Sequence, residues 1–443
     1  MLQKFRALDI IYSGKCNMAC TYCFIHKNKT SMENYNSLIR EALISGDFCK
    51  KIIEAFPDNK ETFEVLSLWG AEPTINHDLF ENFITPLLDY YTNVERIMFS
   101  TNALLGLPAI KDFIDTLNKY TCMNKRKIML EIQLSLDGPD YINDSSRHPG
   151  ATKNTIKVAK EIISYVNEID NQYFKLGIHN KATISPYWFE YLVQDINRIY
   201  EYYTFFDELQ EECLSLVKNK NIESFMALNP TIVNPGEFTE KDGCIFAKWI
   251  NMISTLDTSR FKHVKHPLYG HGEEVYKFFM ETCDTEPYIP FKRSCSAGLN
   301  SLSIDYKGDI LTCHRIYDNI FMGTSITDLQ FSDDNTISKE RKYKDIEKVV
   351  YLNDMYHSSM KARFNMFKVL INGLIWLGKI PPIEKYPLRW LFHLVNGVNC
   401  HIGQGEMTGS FYLTTLSYIN LFAYGAAEEM YKYYKNLGGL NGN

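Results

Sequence analysis

The stretch that decides the fold is Leu8-Asp-Ile-Ile-Tyr-Ser-Gly-Lys-Cys16-Asn-Met-Ala-Cys20-Thr-Tyr-Cys23. Its first five residues are mostly apolar, which is typical of a buried strand. Three cysteines follow at a spacing of three and two intervening residues. Enzymes with parallel α/β barrels carry their chemistry on the loops that follow the strands. The stretch therefore predicts a strand that leads directly into a ligand-bearing loop.

Further strand-like segments follow this one, and segments with apolar residues at helical spacing separate them. The predicted strands cover 8–12, 63–69, 96–100, 128–136, 174–183 and 222–228. The predicted helices cover 36–55, 78–91, 108–119, 153–168, 188–203 and about 237–255. Alternating β and α units imply parallel strands joined by right-handed crossovers. Six units rather than eight favour a partial (β/α)6 barrel of the TIM type over a closed barrel.

The alternation stops near residue 256. Residues 283–320 contain turns and short strand patterns, and the final part of the chain returns to long helical patterns. A chain of 443 residues is long enough for a large barrel with an appended domain. We expect an α/β fold with a partial barrel over 1–255 and a smaller α+β domain over 256–443.

Composition and charge argue against several classes of protein. The 47 basic and 53 acidic residues give a net charge of −6, so no basic field predicts binding to nucleic acid or to an anionic membrane. The N-terminus lacks a signal-peptide pattern, and the most apolar run, 369–377, is shorter than the roughly 20 residues that span a bilayer. Eleven cysteines are too sparse for a small disulfide scaffold. We therefore expect a cytoplasmic protein whose grouped cysteines bind metal or act in catalysis.

The cysteine triplet carries the most specific chemistry in the sequence. A structural zinc site needs four ligands, and the neighbourhood offers only His26 as a fourth. A cubane iron–sulfur cluster held by three thiolates instead leaves one iron open to a small molecule. A zinc knuckle and a chance grouping are the alternatives, although three cysteines this close seldom arise by chance in a chain with eleven.

The spacing of the triplet, with Tyr22 before the third cysteine and Phe24 after it, resembles the motif of the radical S-adenosylmethionine (radical SAM) enzymes. This resemblance implies a 4Fe–4S cluster on Cys16, Cys20 and Cys23 whose open iron chelates SAM. It also implies an external electron donor of the flavodoxin or ferredoxin type. In that family one electron cleaves SAM to a 5′-deoxyadenosyl radical, which abstracts a hydrogen atom from the substrate.

The end of the second predicted strand resembles another part of the same family. Gly70-Ala71-Glu72-Pro73 is similar to the family's Gly-Gly-Glu-Pro segment, with Ala71 in place of the second glycine. The resemblance implies that the backbone of this segment holds the methionine amino group of SAM, which requires the close approach that a glycine permits. A glycine before Glu-Pro is also an ordinary turn, so this segment alone is weakly specific.

The next two strand ends add three similar segments. Thr101-Asn102 resembles the family's Thr-Asn-Gly, with alanine in the third position, and Ser135-Leu-Asp137-Gly resembles its Ser-x-Asp-Gly. The loop at Arg147 resembles the Arg-x-x-Gly loop of peptide-modifying members. The resemblance implies that Ser135 and Asp137 hydrogen-bond the SAM ribose or the substrate, and that Arg147 pairs bidentately with the SAM carboxylate. Each segment alone has a turn or a solvated loop as its alternative, but together they follow the order of the family.

A second group of cysteines lies in the C-terminal part. Strand alternation over 302–305, a Lys-Gly turn and a strand over 309–313 predict a hairpin. The segment resembles the start of the SPASM or twitch extension of radical SAM enzymes, which implies one auxiliary iron–sulfur cluster. The implied ligands are Cys295, Cys313, Cys400 and, as the fourth, Cys283, with His314 or His401 as its alternatives. The rest of the SPASM cysteine series is absent, and buried unligated thiols are the alternative; we expect the latter for Cys49, Cys122, Cys213 and Cys244.

Members of this subgroup mostly modify peptides or proteins. The resemblance therefore implies a peptide or protein substrate, either in the maturation of ribosomal peptides or in the oxidation of a sulfatase cysteine or serine. Only 15 residues precede Cys16, so we expect no leader-binding domain there, and a dehydrogenase of a small molecule such as a carbohydrate is the alternative enzyme. A zinc or iron–sulfur scaffold that binds a partner is the alternative without catalysis. The sequence assigns no catalytic acid or base.

Overall fold

A computed structural model of the chain describes residues 5–23, 29–184, 186–224, 228–232, 256–264 and 301–311, together with four isolated positions. Several sequence predictions lie outside these residues: Phe24, Cys244, Cys283, Cys295, Cys313, His314, Cys400 and His401. The auxiliary cluster therefore stays a prediction. The boundary between domains 1–255 and 256–443 also stays a prediction, because residues 253–255 lie outside the described ranges.

Parallel strands follow the alternating pattern of the sequence. In chain order the strands are β1 (Ala7–Ser13), β2 (Val65–Gly70), β3 (Arg96–Thr101), β4 (Ile128–Ser135), β5 (Phe174–Ile184), β6 (Ile222–Ser224) and β7 (Leu228–Ile232). The first six lie in the spatial order β6-β5-β4-β3-β2-β1, and each neighbouring pair is parallel. This α/β arrangement fits the predicted partial barrel of the TIM type, whose strands end along one edge.

Helices connect the strands. They are α1 (Lys29–Ile44), α2 (Asp47–Ala55), α3 (Phe80–Tyr90), α4 (Gly106–Asn124), α5 (Asp140–Ser146), α6 (Ala151–Asn167), α7 (Pro186–Leu192) and α8 (Ile196–Leu216), with 3-10 helices at Pro57–Asn59, Pro73–Leu79 and Thr258–Arg260. The prediction of one helix over 36–55 is wrong. Gly46 adopts a φ of 75°, the left-handed conformation that ends a helix, and α2 starts directly after it. No helix in the described ranges is long and apolar enough to cross a bilayer.

The predicted hairpin near residue 305 forms at the edge of the barrel sheet. Strands β8 (Ser301–Ile304) and β9 (Ile310–Leu311) are antiparallel to each other. Strand β8 also pairs in parallel with β1, from Ala7 opposite Ser301 to Ile10 opposite Ile304. It is thus the seventh parallel strand of the sheet. The pairing covers the edge of β1, whose backbone groups would otherwise lie unpaired.

The strands present two different faces. One face is apolar and packs on the helices: the Phe99 ring lies 4.5 Å from Phe113 of α4, and Tyr12 lies 5.2 Å from Phe83 of α3. The other face carries polar side chains at alternate positions, since successive strand residues point to opposite sides. These include Asp9, Ser67, Ser100, Glu131, Gln133, His179 and Lys181. A polar face opposite the helices is the surface of a barrel that can receive a polar ligand.

The described residues group into two compact units. Residues 5–23, 29–182, 208–224 and 301–311 belong to the first unit, which contains the cysteine triplet. Residues 183–184, 186–207, 228–232 and 256–264 belong to the second. In the second unit the Asp207 carboxylate accepts hydrogen bonds from the amides of Lys262, His263 and Val264. These bonds and the nearby Asp257 turn account for the fold of the 256–264 segment.

Asp305, in the turn between β8 and β9, is a buried carboxyl group. Its Oδ1 accepts hydrogen bonds from the amides of Lys307 and Asp309, each at 2.9 Å. Burial, reinforced by the neighbouring Asp309, raises the pKa of Asp305 from 3.8 to about 7. Ionising this group is therefore harder in the folded chain than in the unfolded chain.

This raised pKa predicts a stability that depends on pH. The contribution of Asp305 is fully present below the unfolded pKa near 4 and is lost as the pH rises through about 7. Each unit between the two pKa values corresponds to about 1.4 kcal/mol. We expect the melting temperature of the wild type to fall from pH 5 to pH 8, and Asp305→Asn to flatten that fall. Calorimetry at both pH values measures this, and equal slopes for the two chains would contradict it.

Candidate functional site

The three cysteines lie on the loop that follows β1. The Met18 amide nitrogen lies 3.4 Å from the Cys16 sulfur, and the Cys23 amide donates a 3.0 Å hydrogen bond to the Cys20 carbonyl. None of the three cysteines forms a disulfide, and all three are partly buried. In the described part of the chain, no three side chains of His, Cys, Asp or Glu are grouped so that they could hold a single metal ion.

The chemistry of this loop fits a larger iron–sulfur group. Burial raises the pKa of the Cys16 thiol to about 12 and that of Cys20 to about 11. Thiolates at these positions therefore need a positive partner, and iron cations supply one because metals bind the deprotonated form. The Nδ2 of Asn17, next to Cys16, is buried and makes no hydrogen bond to any described residue. The N–H groups of this Asn17 amide can therefore donate to an acceptor atom of a group bound at the loop.

The end of β2 is joined to the cysteine loop through the backbone. The Ala71 amide donates to the Ser13 carbonyl at 2.8 Å, and the Glu72 amide donates to the Lys15 carbonyl at 3.0 Å. Gly70 has a φ of 117°, and a Cβ at this position would lie 1.9 Å from the Ser13 carbonyl oxygen. The close approach that the sequence predicts at this glycine is thus made by the backbone of β1 itself.

Glu72 is a buried link between two strand ends. Only 2% of it is exposed. Its Oε1 accepts hydrogen bonds from the Thr74 hydroxyl at 2.7 Å and the Thr74 amide at 3.2 Å, and its Oε2 accepts one from the Asn102 amide at 2.8 Å. Burial raises the pKa of Glu72, and these hydrogen bonds oppose the rise. Pro73 begins the 3-10 helix that follows. The segment after β2 therefore supports the loop after β3.

Asn102 connects the end of β3 to the first cysteine. Its Nδ2 donates to the Asn17 Oδ1 at 2.7 Å and lies 3.5 Å from the Cys16 sulfur. Its Oδ1 accepts from the Leu104 amide at 2.9 Å. The Thr101 hydroxyl accepts a hydrogen bond from the Ala103 amide at 3.0 Å, and this bond closes the turn after β3. The strand-end position predicted for Asn102 thus places it against the cysteine loop.

Ala103 stands where the Thr-Asn-Gly segment that this strand end resembles has a glycine, and its φ is 57°. This left-handed conformation costs an L-residue about 1–2 kcal/mol, of which the flexibility of a glycine in the unfolded chain would cancel a part. We expect Ala103→Gly to stabilise the chain by about 0.5–1 kcal/mol. The matched change Gly106→Ala, at a φ of 71° and with only ordinary contacts for the new Cβ, should destabilise it by about 1 kcal/mol. Denaturant unfolding measures both, and shifts of the same sign would contradict the argument.

A buried ion pair joins the segment after β4 to the cysteine loop. Nε and Nη2 of Arg147 each donate to Asp137 at 2.7 Å, and the two side chains are 7% and 0% exposed. The Tyr22 hydroxyl donates to the same carboxylate at 2.7 Å, and the guanidinium lies 5.4 Å from the centre of the Tyr22 ring. The third nitrogen of Arg147, Nη1, lies 4.0 Å from the Cys20 sulfur. This network places a cation beside the second cysteine.

The network bears on the predicted SAM contacts. The edge of Arg147 that could bind a carboxylate bidentately donates its hydrogen bonds to Asp137. The Asp137 carboxylate in turn accepts hydrogen bonds from Arg147 and from the Tyr22 hydroxyl. Burial acts to lower the pKa of Arg147, but the charge of Asp137 outweighs it, so the pKa is raised. Ser135 is half-buried at the end of β4, opposite Lys181 in register, and none of its described contacts reaches the cysteine loop. Contacts of these residues with SAM stay predictions.

Several supporting residues escaped the sequence analysis. The Ser146 carbonyl accepts hydrogen bonds from the amide and hydroxyl of Thr21, and the Asn143 side chain accepts one from the Asp137 amide. No local pattern marks these residues. The polar face of the sheet was also missed, although polar residues at every second position of the predicted strands were a signal for it.

Several side chains of the polar face interact with one another. The Trp69 indole donates to Asp9 at 3.0 Å, and the Lys181 ammonium lies 4.6 Å from the centre of the Trp69 ring. The His179 Nε2 lies 3.0 Å from the Glu131 carboxylate. Burial acts to raise the pKa of Glu131, but hydrogen bonding and the charge of His179 outweigh it and lower the pKa. The face therefore carries groups that can hydrogen-bond or pair with a polar ligand.

Two comparisons with known proteins find a match in the part of the chain that contains the cysteine loop. Residues 10–179 match the family model of the Radical SAM superfamily, and that match includes the triplet and the ends of β1, β2, β3 and β4. A region of 183 residues is 27% identical to the radical SAM cyclopropyl synthase TigE of Paramaledivibacter caminithermalis. This region covers 37% of the present chain and 34% of that protein. The chain thus spans about a third of the length of the curated relative it matches.

Proposed function

From a Radical SAM superfamily domain in this chain, we propose an enzyme that reductively cleaves SAM and abstracts a hydrogen atom from a peptide or protein substrate. The observation that carries the proposal is the cysteine loop at the end of β1, which lies within the matched residues and contacts the ends of β2 and β3. A distant relative that is a radical SAM cyclopropyl synthase supports the same class of chemistry. The SPASM or twitch subgroup, with its auxiliary cluster on Cys295, Cys313, Cys400 and Cys283, is part of the proposal.

Cys16, Cys20 and Cys23 are the proposed ligands of a 4Fe–4S cluster. When bound and reduced by an external flavodoxin- or ferredoxin-type donor, such a cluster supplies the electron that cleaves SAM into methionine and a 5′-deoxyadenosyl radical. Residues around the triplet position its first sulfur atom and the start of the loop. The Met18 amide and the Asn102 side chain direct N–H groups at the Cys16 sulfur, and the backbone bonds between β1 and β2 fix where the loop starts.

The polar face of the sheet supports a polar substrate. Peptides offer amide groups and charged side chains to a surface that carries Asp9, Lys181 and Glu131, whereas an apolar substrate would cover these polar groups without forming any new hydrogen bond to them. The same surface suits a small polar molecule such as a carbohydrate, which is the second candidate substrate. In either case the substrate has to reach the open end of the barrel, where the cysteine loop lies.

Anaerobic reconstitution tests the proposal. The chain is loaded with iron and sulfide, reduced with dithionite, and given SAM, and 5′-deoxyadenosine is measured. About four iron atoms per chain are expected for one cubane and about eight if an auxiliary cubane also forms. A chain that takes up no iron–sulfur cluster, or a loaded chain that forms no 5′-deoxyadenosine, would overturn the proposal. Faster formation with added peptides than with monosaccharides supports the peptide class, and the opposite result supports the second candidate.

A further inference from the structure

We propose that Arg147, held by Asp137, raises the reduction potential of the cluster on Cys16, Cys20 and Cys23. This inference rests on the proposed function, because it requires that these cysteines hold the cluster. It assigns Arg147 a role that differs from the carboxylate contact its motif predicts.

The geometry fixes the guanidinium group. Two of its three nitrogens bind the two oxygens of Asp137, so the planar group has little freedom to rotate. The remaining nitrogen, Nη1, is the one that faces the Cys20 sulfur at 4.0 Å. The Tyr22 hydroxyl also donates to Asp137 and lies on the same loop as Cys20. Asp137 thus holds one edge of the Arg147 guanidinium, so that the opposite edge faces the cysteine loop.

Electrostatics gives the direction of the effect. Reduction adds one negative charge to a cluster. N–H groups directed at its sulfur atoms stabilise that charge, and such hydrogen bonds therefore raise the reduction potential of the cluster. Because the side chain of Arg147 is only 7% exposed, water and salt screen its charge weakly. The opposite charge of Asp137 lies on the far edge of the guanidinium and partly offsets this effect. Removing one member of the pair should therefore shift the potential in the direction opposite to removing the other.

Redox titration of the reconstituted chain, followed by the electron paramagnetic resonance signal of the reduced cluster without SAM, tests this. Arg147→Gln is expected to lower the ratio of reduced to oxidised cluster about tenfold at a fixed ambient potential, which corresponds to about 59 mV for a one-electron couple. Asp137→Asn is expected to shift the midpoint in the opposite direction, to a less negative value. A residue with a merely structural role would not give opposite shifts.

Arg6→Gln is the matched control. It also removes one arginine from an ion pair, with Glu64, but it lies before β1 rather than after it, and it should leave the midpoint unchanged. If Arg147→Gln does not retain its cluster, the Asp137→Asn measurement decides, because a less negative midpoint supports the proposal and an unchanged one overturns it.

Two results would overturn the inference while leaving the proposed function intact. One is an Arg147→Gln chain with a full cluster, an unchanged midpoint and weaker SAM binding, as a carboxylate ligand would give. The other is a shift in the same direction for both variants. Failure of the proposed function is distinct, since the wild type would then either show no cluster signal or carry a cluster and form no 5′-deoxyadenosine from SAM.

Discussion

Cys16→Ala, Cys20→Ala and Cys23→Ala chains are each expected to lose the SAM-cleaving cluster and all formation of 5′-deoxyadenosine. The loop supplies only these three thiols, and a cubane held by two of them loses a protein ligand at a second iron. The iron content should fall by about four atoms per chain. Iron and sulfide analysis after anaerobic reconstitution, followed by chromatographic detection of 5′-deoxyadenosine, measures both losses.

Two other cysteines of the first unit serve as controls. Cys122 is exposed on α4, so the prediction of a buried thiol there is wrong: it lies on the solvent side of the helix. Cys49 is buried on α2 as predicted, where its thiol donates to the Phe83 carbonyl at 3.1 Å. Cys122→Ala should retain full iron and full activity. Cys49→Ala should retain both after a modest loss of stability, because it removes a small buried group. Activity that survives in any triplet variant, or that is lost equally in Cys122→Ala, would be inconsistent with the assigned ligands.

The strands and their order could be predicted because burial imposes a repeating pattern on the sequence. Segments such as 128–136 have apolar residues wherever the strand faces the helices, so β4 (Ile128–Ser135) was placed almost to the residue. Strand-end motifs could be placed for the same reason, since parallel strands end at one edge. Asn102 and the Gly70 segment do meet the cysteine loop there. Periodicity and topology together therefore located the candidate site.

The partners of the polar side chains could not be predicted in this way. Arg147 and Asp137 each resembled a ligand of the cofactor, and no one-dimensional pattern shows that two such residues bind each other. The pairing of β8 with β1 joins residues almost 300 positions apart, and strand pairing over that distance leaves no local signal. The predicted helix over 36–55 is interrupted at Gly46, because this residue adopts a positive φ that cannot continue a right-handed helix, although the apolar pattern runs on through it.

Gly70→Ala is expected to destabilise the chain by about 2–5 kcal/mol and to reduce cluster binding even though all three cysteines remain. Two costs add up: the φ of 117° is strained for any L-residue, and the new Cβ would lie 1.9 Å from the Ser13 carbonyl oxygen. Relief requires β1 and β2 to separate at the point where the Ala71 amide bonds to that carbonyl. Denaturant unfolding gives the loss of stability, and iron analysis after reconstitution gives the loss of cluster.

Gly150→Ala separates the two costs of this substitution. Gly150 also has a positive φ, 81°, but a Cβ there meets nothing within 4 Å. Gly150→Ala should therefore lose only the stability that the backbone conformation costs an alanine, about 1 kcal/mol. The difference between the two variants therefore measures the contact with Ser13. If the glycine served only the approach of SAM, Gly70→Ala would match Gly150→Ala in stability and iron content and would differ only in SAM affinity. A larger loss of stability in Gly70→Ala would instead show that this strand-end glycine first of all lets β1 and β2 meet where the cysteine loop begins.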